Sequence, residues 1–140
     1  MEAFKISTTK KQELIDITEK VRQIVKNSKV KKGLCIVYVP HATAGIIVNE
    51  NYDPSVCKDI INQLERIAPS TDSYEHDKID DNAHSHIKAS LIGPSETLII
   101  ENGELILGTW QGIALAEFDG PRTRTVLIKI IEGWNGRTKH

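Results

Sequence analysis

Two residues narrow the fold more than any others: Asn102-Gly103, set between the apolar runs Thr97-Leu98-Ile99-Ile100-Glu101 and Glu104-Leu105-Ile106-Leu107. Asn-Gly supplies the positive φ angles of a type I′ turn, whose twist suits antiparallel strands, so this stretch reads as a β-hairpin. Strand patterning recurs on both sides of it. Alternation marks Ala3 to Ser7 and Glu13 to Ile17. A β-branched run marks Gly33 to Val39 and stops at Pro40, and Ile46 to Asn49, Ile113 to Phe118 and Thr125 to Ile131 complete the set. Helical spacing enters three times. Thr18 can cap a helix carrying Val21, Ile24 and Val25. Asp53-Pro54 opens a second, with Val56, Ile60, Leu64 and Ile67 on one face, and Ala83 to Ile92 is a third, closed by Gly93-Pro94. Seven or eight strands with two or three flanking helices make an α+β domain around an antiparallel β-sandwich-like core.

The chain of 140 residues is expected to form a single domain over 1–140, with 132–140 as a less ordered tail. Eighteen basic residues against nineteen acidic ones, with no basic run interleaved with aromatics, argue against a nucleic-acid partner. The N-terminus has no apolar core of a signal segment, and no stretch approaches the roughly 20 apolar residues of a membrane span. A soluble, cytoplasmic protein with no membrane partner is the expectation. Cys35 and Cys57 then read as two reduced thiols.

The chemistry-bearing residues gather in three places. His41 opens a loop between two strands, His76 lies in the polar, aperiodic run from Ser70 to Asn82, and His84 and His86 follow it. Glu50, Asp53, Asp77, Asp80 and Asp81 accompany them. Imidazole with carboxylate suits zinc and similar divalent ions, although the spacing matches no standard zinc motif. On a strand His84 and His86 would share a face, whereas on a helix they diverge. The second place is Gly108-Thr109-Trp110-Gln111-Gly112, followed by Asp119-Gly120-Pro121-Arg122-Thr123-Arg124. Two arginines at i and i+2 suit bidentate phosphate contacts, or equally a salt-bridged surface turn. In the third, Asn49-Glu50, Glu50 is either an exposed strand-end charge or an acid/base group.

Taken in order, HATAGIIVNENYDPSV, YEHD, NAHSHIKASLIGPS and LGTWQGIALAEFDGPRTR resemble the YjbQ-type family of secondary thiamine-phosphate synthases. The resemblance runs from the first strand to Gly133. It implies a small β-sandwich-like protein with flanking helices, assembled as a homotrimer, holding a divalent metal ion, zinc by preference, in a cleft near or between subunits. Carried over, it implies His41, His76 and His86 as metal ligands and His84 as an accessory. It implies Glu50, Gln111 and Asp119 as catalytic groups, and Arg122 and Arg124, with Thr43 and Asn82, on the phosphates. The activity implied joins hydroxymethylpyrimidine diphosphate to hydroxyethylthiazole phosphate with release of pyrophosphate. Two other readings of the same residues are a metal-dependent phosphatase of a small phosphorylated metabolite and a non-catalytic protein that binds such a metabolite. The apolar stretch GTWQGIALAEF serves either as a subunit contact or as a core strand.

Overall fold

Alternation and turn chemistry place eight strands where they are expected. They are β1 (Glu2–Ser7), β2 (Glu13–Asp16), β3 (Gly33–Tyr38), β4 (Ala44–Asn49), β5 (Ser95–Glu101), β6 (Glu104–Leu105), β7 (Gly112–Glu117) and β8 (Thr123–Glu132). The structure is a computed structural model and describes residues 1–133, so most of the expected tail, His140 included, lies outside the described residues. Residue 132 itself belongs to β8. At the hairpin Asn102 and Gly103 take φ values of 53° and 79°, as a type I′ turn demands.

All strand pairs are antiparallel and fall into two sheets, ordered β1-β8-β3-β5-β6 and β2-β7-β4. Val37, Ile100, Val126 and Ile128 from the larger sheet meet Ile46, Ile113 and Leu115 from the smaller one, and this sandwich is the main core. Helix α1 (Thr18–Ser28) closes the gap between the sheets with Val21 and Val25. Its start differs from expectation. Thr18 lies inside the helix, and Asp16 does the capping, accepting from the Thr18 N–H at 2.9 Å and its hydroxyl at 2.6 Å. Helix α2 (Pro54–Ile67) begins as its sequence predicts, with the Ser55 N–H donating to Asp53 Oδ1 at 2.8 Å.

Helices α2 and α3 (Ala83–Ile92) cover the outer face of the smaller sheet, where Leu64 and Ala89 pack on Ala116 and Phe118. This explains β7. With one face on the main core and the other under helices, all six of its residues are buried. Of the stretch read as a possible subunit contact, Gly112 to Phe118 is therefore buried in the core, while Gly108 to Gln111 stays exposed. Gly45 lets α3 approach β4, since a Cβ there would lie 2.7 Å from the Gly93 carbonyl oxygen and 2.9 Å from Ile92 Cγ2. The polar run before α3 is irregular apart from a 3-10 turn at Glu75–Lys78. Cys35 and Cys57 are both free thiols. No helix among the described residues is long and apolar enough to cross a membrane.

Candidate functional site

A carboxylate inside an apolar strand needs a partner. In IALAEF, Glu117 points into the sandwich with Ile113 and Leu115, and it is fully buried. Arg124, on the inward side of β8, meets it from the other sheet. Its Nε donates to Glu117 Oε1 at 2.9 Å, and its Nη2 donates to Glu117 Oε2, to the Thr43 hydroxyl and to the Thr43 carbonyl. The Thr8 hydroxyl and the Asp119 N–H also donate to Glu117. Burial alone would raise the Glu117 carboxyl above its usual range, but Arg124 and these hydrogen bonds outweigh burial and hold it below. Arg124 and Thr43, expected on a phosphate, are thus committed to a buried ion pair that ties the two sheets together. Sequence reasoning missed Glu117, and the signal for it was a lone acid at a core-facing position.

One turn further, Asp119 gathers partners from three segments. Its Oδ2 accepts from Asn82 Nδ2 at 2.9 Å and from Arg122 Nη2 at 2.8 Å, while Lys11 Nζ lies 3.2 Å from Oδ1. Arg122 Nε also donates to the Asp119 carbonyl at 2.8 Å. Burial would raise the Asp119 carboxyl, and the bonds from Asn82, Arg122 and Lys11 together hold it low instead. The carboxylate is 4% exposed, whereas the side chains of Arg122 and Lys11 are 50% and 64% exposed. An anchored acid thereby presents two cations to solvent, an arrangement suited to an anion. Lys11 was not foreseen, because it lies in an unpatterned loop. Asn82 Oδ1 is buried without a hydrogen-bond partner. That open atom is an acceptor, so it suits a donor rather than the phosphate oxygen expected at Asn82.

The histidines divide into separate environments. Because they lie on a helix, His84 and His86 diverge. Buried His84 turns toward Lys88, whose ammonium donates to its Nδ1 at 2.9 Å, to Glu65 Oε1 at 2.6 Å and to Gln12 Oε1 at 3.1 Å. An ammonium only donates, so the proton of the neutral His84 ring sits on Nε2 and neither nitrogen offers a lone pair to a metal. Burial, and then the Lys88 charge, lower the His84 pKa. His86 faces His76 instead, with ring centroids 4.9 Å apart at 81°. Two imidazoles on one tetrahedral zinc would stand about 5 Å apart at normal Zn–N lengths. His41 Nε2 accepts the Thr125 N–H at 2.9 Å, which leaves Nδ1 as its one open nitrogen. Burial, and then the Arg124 charge, lower its pKa. Among the described residues no three His, Cys, Asp or Glu side chains gather to hold a metal ion. The chain offers zinc a pair of imidazoles, and the expected triad with His41 is not assembled.

Glu50 and Gln111 lie elsewhere. In the β4–β7 pair Ala44 faces Glu117 and Asn49 faces Gly112. Five steps of about 3.3 Å put the two ends of the pair roughly 17 Å apart. Thr43, Glu117 and Asp119 stand at one end, and Glu50 and Gln111 stand at the other. Gln111 there closes its own turn, with Oε1 accepting the Gly108 N–H at 2.8 Å. Exposed Trp110 and Tyr52 meet edge to face beside it. Within one chain, Glu50 and Gln111 do not line the pocket expected around Asp119.

The family model for UPF0047 proteins, YjbQ-like, matches residues 2–133. A UPF0047 protein of Methanocaldococcus jannaschii is 51% identical over 128 residues, covering 91% of each chain. YugU of Bacillus subtilis, also a UPF0047 protein, is 44% identical over 94% of this chain and 98% of its own. Among solved structures, a YbjQ-like protein of unknown function from Sulfolobus solfataricus superposes with a TM-score of 0.92 at 38% identity, covering 94% of this chain and 96% of that one. An uncharacterised YjbQ/UPF0047 protein from Clostridium acetobutylicum gives 0.89 at 48% identity, covering 94% of this chain and all of that one.

Proposed function

Because this chain belongs to the UPF0047 family of YjbQ-like proteins, we propose that it is a transferase acting on small phosphorylated metabolites at the Asp119 end of the sandwich. The reaction proposed joins hydroxymethylpyrimidine diphosphate to hydroxyethylthiazole phosphate. The thiazole nitrogen attacks the pyrimidine methylene carbon, and the C–O bond to the diphosphate breaks. Its electron pair leaves on pyrophosphate, giving thiamine phosphate. No side-chain nucleophile is required. The demand on the protein is to stabilise negative charge growing on phosphate oxygens. The observation that carries the reading is the Asp119 anchor, which holds Arg122 and Lys11 side by side with their side chains half or more exposed. No step is assigned to a metal, because among the described residues of one chain no third His, Cys, Asp or Glu side chain gathers with His76 and His86.

A second reading, a protein that binds a phosphorylated metabolite without transforming it, is favoured by the distance of Glu50 and Gln111 from Asp119. One pair of measurements separates the two. Pyrophosphate should bind by calorimetry, and Arg122→Ala should weaken it at least tenfold. Supplying both substrates should then yield thiamine phosphate, detectable by its conversion to fluorescent thiochrome. Binding without product would leave the second reading standing, and unchanged pyrophosphate affinity in Arg122→Ala would remove both.

A further inference from the structure

Asn82 uses one half of its amide and leaves the other half idle. The residue opens α3, where an asparagine ordinarily turns its side-chain oxygen onto the N–H groups of the first helical turn. Here no such cap bond forms. The amide is turned toward Asp119 instead, with Nδ2 donating to Oδ2 at 2.9 Å. Its oxygen and nitrogen cannot trade places. Burial opposes ionisation of Asp119, but the bonds from Asn82, Arg122 and Lys11 keep it ionised. An ionised carboxylate only accepts, so a reversed amide would set two oxygens face to face. Oδ1 is therefore fixed as a buried acceptor without a hydrogen-bond partner, on a residue that is 6% exposed. A capping bond would have recovered the stability lost in this way, so the arrangement calls for a reason other than stability.

The group that would pair with Oδ1 can be placed relative to the cations. Asn82 Nδ2 and Arg122 Nη2 donate to the same oxygen of Asp119, at 2.9 Å and 2.8 Å. Amide bond lengths then put Asn82 Oδ1 within about 8 Å of Arg122 Nη2. A ligand spanning the two needs only a short link between its anionic group and its donor. We propose that Asn82 selects the ligand of this site, a phosphate ester with a hydroxyl or amino group a few bonds from its phosphorus, by accepting a hydrogen bond from that group on Oδ1. The inference rests on the reading of Arg122 and Lys11 as an anion site, and it narrows the class of metabolite that site takes. A fully ionised phosphate ester has no donor of its own, so a plain alkyl phosphate would leave Oδ1 unpaired. Sites built to hydrogen-bond a ligand hydroxyl or amine reject the analogue that lacks it, because their own buried polar group then goes unsatisfied.

Titration calorimetry of the full chain tests this with two esters of matched size, 2-hydroxyethyl phosphate and n-propyl phosphate. At a pH of about 8 both are dianions, since the second ionisation of such phosphates lies near about pH 6. The wild type is expected to bind the hydroxy ester at least tenfold more tightly than the propyl ester. Asn82→Ala, with its fold checked by circular dichroism, should bind the two about equally. The ratio is what is read, so a general loss of affinity in the variant does not disturb the test. If Asn82→Ala does not fold, the wild-type ratio still decides. Equal affinities in the wild type, no binding of either ester at millimolar concentration, or a preference that survives in folded Asn82→Ala would each overturn the proposal. Pyrophosphate titrated alongside, into the wild type and Arg122→Ala, tells the two failures apart. Binding that depends on Arg122 would leave the anion site standing while the role of Asn82 falls, whereas its absence would remove both.

Discussion

Arg122 and Arg124 stand two residues apart and should respond to truncation in opposite ways. Arg124 is 4% exposed, and its partner Glu117 is fully buried between the sheets. Replacing Arg124 with Met keeps the bulk of the aliphatic stem but leaves a carboxylate stranded away from water. Breaking a buried pair from one side costs about 3–5 kcal/mol. For a domain whose total stability is roughly 5–15 kcal/mol, that is a large share and should lower Tm by roughly 10–15 °C. Arg122→Met removes a half-exposed side chain while Asp119 keeps Lys11 and Asn82, so its cost should stay within about 1 kcal/mol. Urea denaturation and thermal melts of both variants would measure the difference. Adding Glu117→Gln to Arg124→Met should recover about 2 kcal/mol, because it removes the stranded charge. The pH dependence should also invert. In the wild type the Glu117 carboxyl is held below its usual range, so its stabilisation is present above the unfolded-state pKa and is lost as pH falls through the folded value. In Arg124→Met the same carboxyl, buried and unpaired, is pushed up, so that variant loses stability as pH rises. Equal losses in the two arginine variants, or a cost under about 1 kcal/mol for Arg124→Met, would refute the assignment of Arg124 to the fold.

Four further outcomes follow from the structure. His84 has a lowered pKa, so wild-type stability should decline as pH falls below about 6.5, and His84→Gln should flatten that decline in melts read across pH 5–8. Burial opposes Glu65, but bonds from Lys88, Ser70 and Gln12 hold its carboxyl at about 2, so the stabilisation it adds should fade only as pH falls from about 4.5 toward that value. Zinc uptake measured by mass spectrometry should drop in His76→Ala and His86→Ala and stay unchanged in His41→Ala, and a loss in the last would place His41 on the metal after all. Gly45→Ala should cost about 1–3 kcal/mol in denaturant unfolding, because the new methyl meets the Gly93 carbonyl, and a neutral result would show that α3 can shift.

Local rules carried most of the fold. The Asn102-Gly103 hairpin, the Asp53-Pro54 helix start and the run stopping at Pro40 each depend on a few neighbouring residues, and each stands where its chemistry puts it. The α+β sandwich and the three helices were legible for the same reason. What a side chain does at the site depends on residues far away in sequence. Arg124 and Arg122 look alike at i and i+2, but one finds Glu117 across the sandwich and the other finds Asp119 in its own turn. GTWQGIALAEF reads equally as a contact or a core strand until the two layers that cover its second half are known. Glu50 and Gln111 bracket the loops with suitable chemistry, and only the β4–β7 register reveals the strand length between them and Asp119. Lys88 was invisible as a functional position, since a lysine in a helix is normally solvated, and its burial depends on Glu65 and Gln12 arriving from two other elements.

The turn that carries Arg122 is fastened to the first loop of the chain. The Thr8 N–H donates to the Arg122 carbonyl at 2.8 Å, the Arg122 N–H to the Thr8 hydroxyl at 2.8 Å, and the Gly120 N–H to the Lys11 carbonyl at 2.9 Å. Opening either segment exposes both, so their amides should exchange with solvent as one unit, at one shared rate. An anion that bridges Lys11 and Arg122 would bind only the closed form. The slowing of amide exchange at Gly120 and Thr8, more than a hundred residues apart in the chain, would then register occupancy of the site without any assay of turnover.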